Sequence, residues 1–479
     1  MGKGKKLLIL LLVVALLVGG YFAAKQFLTD DEASDSEAET ERVPIGAMHS
    51  DDIAGILYVC GDESIELRRD GDTWRLKADP DFPVKQAYAD TMAADAADLE
   101  AERLVSESAD DFAQYGLDAP ETAYVFTKTD GTQVTYYIGS YNSFGGTYYM
   151  NVAGTEKIYL ISGDFLDDFG HGLRELADVE AMQTVTTEDV YDLTLTLKDK
   201  TTRVFHVEEG LKTVYSDMFT WFSDEQTPVD AAAAQDLIGK AVSFTESGCA
   251  DYRADDDELA LYGLDHPAVT AKFDYTVSER KETGETGDDG EPVTETVTHD
   301  ETLTLLVGSA AKDGSLYAKT DASDVVYLID AEYLHALQDF DFGTLRNMRL
   351  CAVQSTDVRS MDVAINGKTA TLTIERTKSD DGKESAVYKV DGAEITADKF
   401  NDFYGSIQSI YAEDFTDKEA FADDAPIVVT FHTSRAGFET VTLRLAPYDR
   451  NFYVSQDGAL VSIRDAEKII RTFETIREK

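Results

Sequence analysis

The chain has 479 residues, with 92 Asp and Glu against 43 Lys and Arg, for a formal charge of −49. A nucleic-acid backbone needs clustered cations, so this balance excludes nucleic acid as a partner. A hydrophobic fraction of 43% with 10% aromatics supports packed cores, which excludes wholesale disorder.

In chain order, the first feature is an uncharged run of 18 residues from Leu7 to Ala24. At about 1.5 Å per residue it is about 27 Å long, close to the hydrocarbon thickness of a bilayer. Lys3, Lys5 and Lys6 precede it. The basic flank predicts a single-pass anchor within a 1–28 stub, with the N-terminus cytoplasmic and the C-terminal region extracytoplasmic. The alternative is a cleaved signal peptide, for which the apolar core is long and no clear A-x-A site follows. Residues 29–47 are acidic and read as a solvated linker.

Beyond the linker the chain repeats itself. Tyr115-Gly116-Leu117-Asp118-Ala119-Pro120 recurs as Tyr262-Gly263-Leu264-Asp265-His266-Pro267. Pro83-Val84 recurs as Pro228-Val229, Ile138-Gly139-Ser140 as Val307-Gly308-Ser309, and Leu173-Arg174 as Leu345-Arg346. Lys157-Ile158-Tyr159-Leu160-Ile161 has its counterpart in Val325-Val326-Tyr327-Leu328-Ile329. These markers predict unit 1 over 48–180, unit 2 over 181–350 and a degenerate unit 3 over 351–479. Within unit 2, residues 278–300 are a polar insertion, read as a hairpin lengthened at its tip. In unit 3 the signature gives way to Phe421-Ala422-Asp423.

Alternation predicts strands over 64–77, with a turn at Asp70-Gly71 or Gly71-Asp72, and 192–207 reads as the counterpart hairpin. Helices are expected over 84–104, 229–243, 396–411 and 464–477. Val84, Ala87, Tyr88, Met92, Ala96 and Leu99 form one stripe of the first. The expected class is α+β, with an N-terminal transmembrane helix followed by three tandem repeats of antiparallel sheet packed with helices.

The signature reads as a helix stop. Ser108 to Asp111 offers a capping-box-like start, Gly116 a left-handed C-cap, Leu117 its apolar partner and Pro120 the break, and the second copy repeats this pattern. No zinc-protease, nucleophile-elbow, P-loop or dinucleotide fingerprint occurs. Cys60, Cys249 and Cys351 are far apart, and no two of the seven histidines share a metal-ligand spacing. No catalytic residue, cofactor or metal is therefore expected. With 92 acids, a pair placed for glycoside hydrolysis would arise by chance. The remaining candidate is 135–151, where Tyr141, Phe144, Tyr148 and Tyr149 flank Gly145-Gly146 as partner- or sugar-binding aromatics, or else as an ordinary hairpin.

Taken with the Trp74-containing first hairpin and the apolar N-terminus, these motifs resemble those of a bacterial family, the domain of unknown function 4340, best across 70–330. Members are often encoded beside ABC transporters of the gliding-motility or multidrug-export type. The resemblance implies an accessory envelope protein and carries no catalytic residues over. The expected function is a non-enzymatic scaffold or accessory subunit of an envelope complex such as an ABC transporter, with the membrane contacted through 7–24. A glycan- or peptidoglycan-binding module is the alternative, and a hydrolase with dispersed acids is a third.

Overall fold

A computed structural model describes residues 42–478 apart from 47, 210, 287–291, 379–383 and 418–424. The expected anchor at 7–24, most of the linker and Phe421-Ala422-Asp423 lie outside the described residues. No helix among the described residues is long and apolar enough to cross a membrane. The linker ends earlier than expected: Val43–Pro44 pairs antiparallel with Glu100–Ala101, and Met48 is buried.

The chain divides at Asp178/Val179 into two compact units. The first holds one eight-stranded sheet. Ile53–Cys60, Glu63–Asp70 and Thr73–Leu76 form a meander, joined edge to edge by Gly71-Asp72 with Gly71 at φ +64°. Ile53–Cys60 also pairs with Thr122–Lys128. Gln133–Asn142, Thr147–Val152 and Ile158–Ser162 then follow outward, and Arg103–Ser106 closes the far edge. The second unit holds two further sheets with the same order, the last gaining a small outer strand, Ala393–Ile395. Each sheet therefore centres on one equivalent strand pair, and each pair buries one phenylalanine. Phe126 lies opposite Ile56, Phe273 opposite Leu193 and Phe431 opposite Met361.

The α+β expectation is overturned. Strand accounts for 44% of the described residues and helix for 20%, in four sheets whose neighbouring strands are all antiparallel. Two of the expected helices shrink for local reasons. The first spans only Gln86–Ala97, because Leu99 turns into the core and Glu100–Ala101 and Arg103–Ser106 join sheets. The third stops at Gln408, and Asp414–Phe415 becomes an edge strand. Eight or nine strands thus face one 12-residue helix in each repeat.

That helix is seated by small side chains and polar ties. In the first unit Ala89, Met92, Ala93 and Ala96 are buried. The Trp74 indole Nε1 donates to Asp90 (2.9 Å), and the Trp74 backbone N–H donates to Gln86 Oε1 (2.7 Å). In the last repeat Phe400, Phe403 and Ile407 face the sheet, and a final helix, Ile463–Arg477, buries Ala466, Ile469, Phe473 and Ile476. Burial of each such large aliphatic or aromatic side chain contributes about 1.5–3 kcal/mol.

The hairpin at 192–207 is displaced by one strand from its expected counterpart. Val190–Leu197 corresponds to Ile53–Cys60, so the partner of 64–77 is Lys200–His206 with Trp221–Ser223. Alternation alone does not say which strand of a meander is being read. Between these two strands the described residues 207–209 and 211–220 lie outside the sheet. The 278–300 insertion falls on the hairpin Val269–Thr286 and Pro292–Ala310, paired from Val269↔Val307 to Glu282↔Thr294.

Candidate functional site

The signature forms a latch. In the first copy a short 3-10 turn, Ala113–Tyr115, ends on Gly116 at φ +69°, and Leu117 N–H donates to Phe112 O (3.0 Å). In the second, helix Asp256–Leu261 ends before Gly263 at φ +70°, and Leu264 N–H donates to Leu259 O (2.9 Å). Leu117 and Leu264 are both buried. The capping box is present in the second copy, where Asp255 and Glu258 cap each other's backbone N–H (2.9 Å each). It is missing from the first. There Ser108 donates instead to Glu156 (2.6 Å), and Asp111 caps Ala113 N–H (2.9 Å).

The latch closes on the second repeated motif, Gly-Ser. Tyr262 O accepts from both Ser309 N–H (2.8 Å) and Ser309 Oγ (3.0 Å). A Cβ on Gly308 would collide with that same carbonyl oxygen, and one on Gly139 would collide with Tyr115 O and lie 2.8 Å from Leu117 Cγ. Both Gly-Ser pairs sit where the strand register shifts, between Ile138 and Tyr141 and between Val307 and Ala310. The motif tyrosines pack at a tilt against equivalent strand tyrosines. Tyr115 meets Tyr149 at 5.0 Å, and Tyr262 meets Tyr317 at 4.5 Å. Burial and the neighbouring Asp251 carboxylate, to which it donates (3.0 Å), push the Tyr262 hydroxyl well above its usual range.

This arrangement sorts the four candidate aromatics. Tyr148 and Tyr149 are successive in a strand and so face opposite sides of the sheet. Tyr149 belongs to the latch. Tyr148 packs partly against the core and beneath Tyr141, with ring centroids 5.1 Å apart. Tyr141 is 56% exposed and Phe144, at the hairpin tip, fully exposed. Only Tyr141 and Phe144 offer free aromatic surface.

Other titratable groups have local partners. His432 Nε2 lies 2.7 Å from Asp362, His299 Nε2 lies 3.0 Å from Glu301, and His206 packs 5.1 Å from the Trp221 ring. Among the described residues no group of His, Cys, Asp and Glu could hold a metal. Cys249 and Cys351 are buried, and burial pushes the Cys351 thiol up to about 11. One pairing had no signal in the sequence. Asp168 is hydrogen-bonded to Asp95 of the first repeat helix, and burial, this bond and the charges of Asp95, Asp167 and Asp164 push its carboxyl up to about 7.

Fold and latch together define a tandem antiparallel-sheet repeat protein, the first two of whose copies carry the same latch. The family described as Domain of unknown function (DUF4340) matches residues 74–267 and again 251–426, and the chain belongs to that family. The matches end on Pro267 and Pro426, each just ahead of the strand that carries the buried Phe273 or Phe431. No curated protein and no solved structure matches the chain.

Proposed function

We propose that the chain is a non-enzymatic extracytoplasmic scaffold, held to the cell membrane through residues 7–24, that serves as an accessory subunit of an envelope complex such as an ABC transporter. The observation that carries this reading is the use made of the signature. In both copies its residues are occupied in closing the fold, so what repetition multiplies is surface and not chemistry. The apolar run supports the location, and the resemblance supports the partner class. The test is recovery of a C-terminally tagged full chain from native membranes. Transporter subunits at comparable yield support the proposal, and their absence under mild detergent refutes it.

A second reading, binding of cell-wall glycan, draws support from the free aromatic surface of Tyr141 and Phe144. Tyr141→Ala with Phe144→Ala should then abolish retention on purified cell wall, and unchanged retention removes the reading.

A further inference from the structure

Within the second unit the excursion over 211–220 lies against the last sheet. Arg435 ties it down, donating to Val214 O (2.9 Å) and Leu211 O (3.2 Å) and pairing with Asp217 (2.7 Å). Tyr215 OH accepts from Ala352 N–H (3.2 Å). Between the excursion, the segment 346–351 and the sheet lies a cavity of about 300 Å³. This is at the small end of the range that takes organic ligands, about 300–1,000 Å³.

Its lining is chemically divided. Tyr215, Phe219, Phe431 and Leu443 supply an apolar part, and Arg346 and Arg349 supply the cations. The Arg346 guanidinium carbon lies over the Phe415 ring, 3.3 Å from its centroid, and Arg349 lies 5.1 Å from the Tyr411 ring, to whose hydroxyl it donates. Arg349 also donates to Gln408 O (3.5 Å), so both guanidinium groups are held in place at the cavity by aromatic contact or by hydrogen bonds to neutral acceptors. Among the described residues no carboxylate lies within ion-pairing distance of either arginine, although acids outnumber bases 92 to 43. Asp457 is exposed and is the only acid among the described residues of the lining.

We propose that this cavity binds a small organic anion, a carboxylate carried on an apolar body, with Arg346 and Arg349 taking the carboxylate and Tyr215, Phe219, Phe431 and Leu443 the body. Paired guanidinium donors favour a planar carboxylate, to which they make charge-assisted hydrogen bonds. The apolar part gives affinity that a bare ion cannot draw on. The same chemistry has two sources, a free aliphatic acid and the C-terminus of a peptide.

The test is calorimetric titration of the full chain with N-acetyl-phenylalanine, its primary amide, decanoate and inorganic phosphate. The acid should bind at least tenfold tighter than the amide. Arg346→Gln with Arg349→Gln should erase that preference while the melting temperature stays within a few degrees. Decanoate binding tighter than N-acetyl-phenylalanine identifies an aliphatic acid as the occupant, and the reverse order a peptide terminus. Equal binding of acid and amide overturns the proposal, as does binding of neither carboxylate or phosphate binding as tight as the acid. The acid–amide comparison needs no variant, so it decides the matter even where the double substitution unfolds the protein.

Discussion

Alanine at Gly308 isolates the contribution of the latch. Gly308 is not among the positive-φ residues, so the substitution meets no dihedral penalty of the left-handed kind. Its new methyl would overlap the Tyr262 carbonyl oxygen and lie 3.1 Å from Gly263 C. Both obstacles are backbone, held by Ser309 through hydrogen bonds of 2.8 and 3.0 Å. Overpacking costs about 1–3 kcal/mol. Separating the strand from the helix stop forfeits the two hydrogen bonds, about 0.5–1.5 kcal/mol each. The expected loss is about 3 kcal/mol, or roughly 5 °C in melting temperature for a unit of this size. Gly314→Ala is the control, since Gly314 sits at φ +93° with nothing within 4 Å of a Cβ. Its loss should be only about 1 kcal/mol, the left-handed penalty alone. Scanning calorimetry of the full chain compares the two. A Gly308→Ala transition no lower than that of Gly314→Ala would refute the reasoning.

Three further outcomes follow from other sites. The Asp168 carboxyl is raised from 3.8 to about 7, so the folded chain holds a proton that the unfolded chain releases. Its stabilising contribution is full below pH 4 and is lost as pH rises through 7. Asp168→Asn should therefore gain stability over wild type between pH 4 and 8, by about 1–2 kcal/mol after solvent screening, read from urea midpoints across pH. Arg435→Met strands the Leu211 and Val214 carbonyls and should cost about 2–4 kcal/mol in urea unfolding of the second unit, whereas Arg444→Met, at a half-buried position of the strand Thr440–Pro447, should cost less. Phe144→Ser should leave the melting temperature within a degree or two, because nothing covers that ring.

Local signals were legible in the sequence wherever one residue type met one backbone demand. Gly71 in the hairpin turn and Gly116 and Gly263 at the helix stops belong to this kind. Contacts between distant segments were not legible. Gly139 and Gly308 were visible only as repeat markers, because the need for glycine comes from the Tyr115 and Tyr262 carbonyls far away in the chain. The first helix was overextended because Leu99 continues the helical stripe while its backbone has already turned toward the strands. Phe126, Phe273 and Phe431 mark the three equivalent strand pairs more faithfully than the signature does, yet an isolated phenylalanine in an alternating run carries no address. The pairing of Asp168 with Asp95 was lost among 92 acids.

The small ladder between Val43–Pro44 and Glu100–Ala101 also has a mechanical consequence. Proline has no N–H to give, so the grip is slight, helped by Ile45 N–H on Leu99 O (3.0 Å). A pull applied to the chain ahead of Val43 would peel these few residues away first, releasing about 10 Å at roughly 3.3 Å per residue. Only then would load fall on Ile53–Cys60, which is hydrogen-bonded along both sides and resists being drawn out.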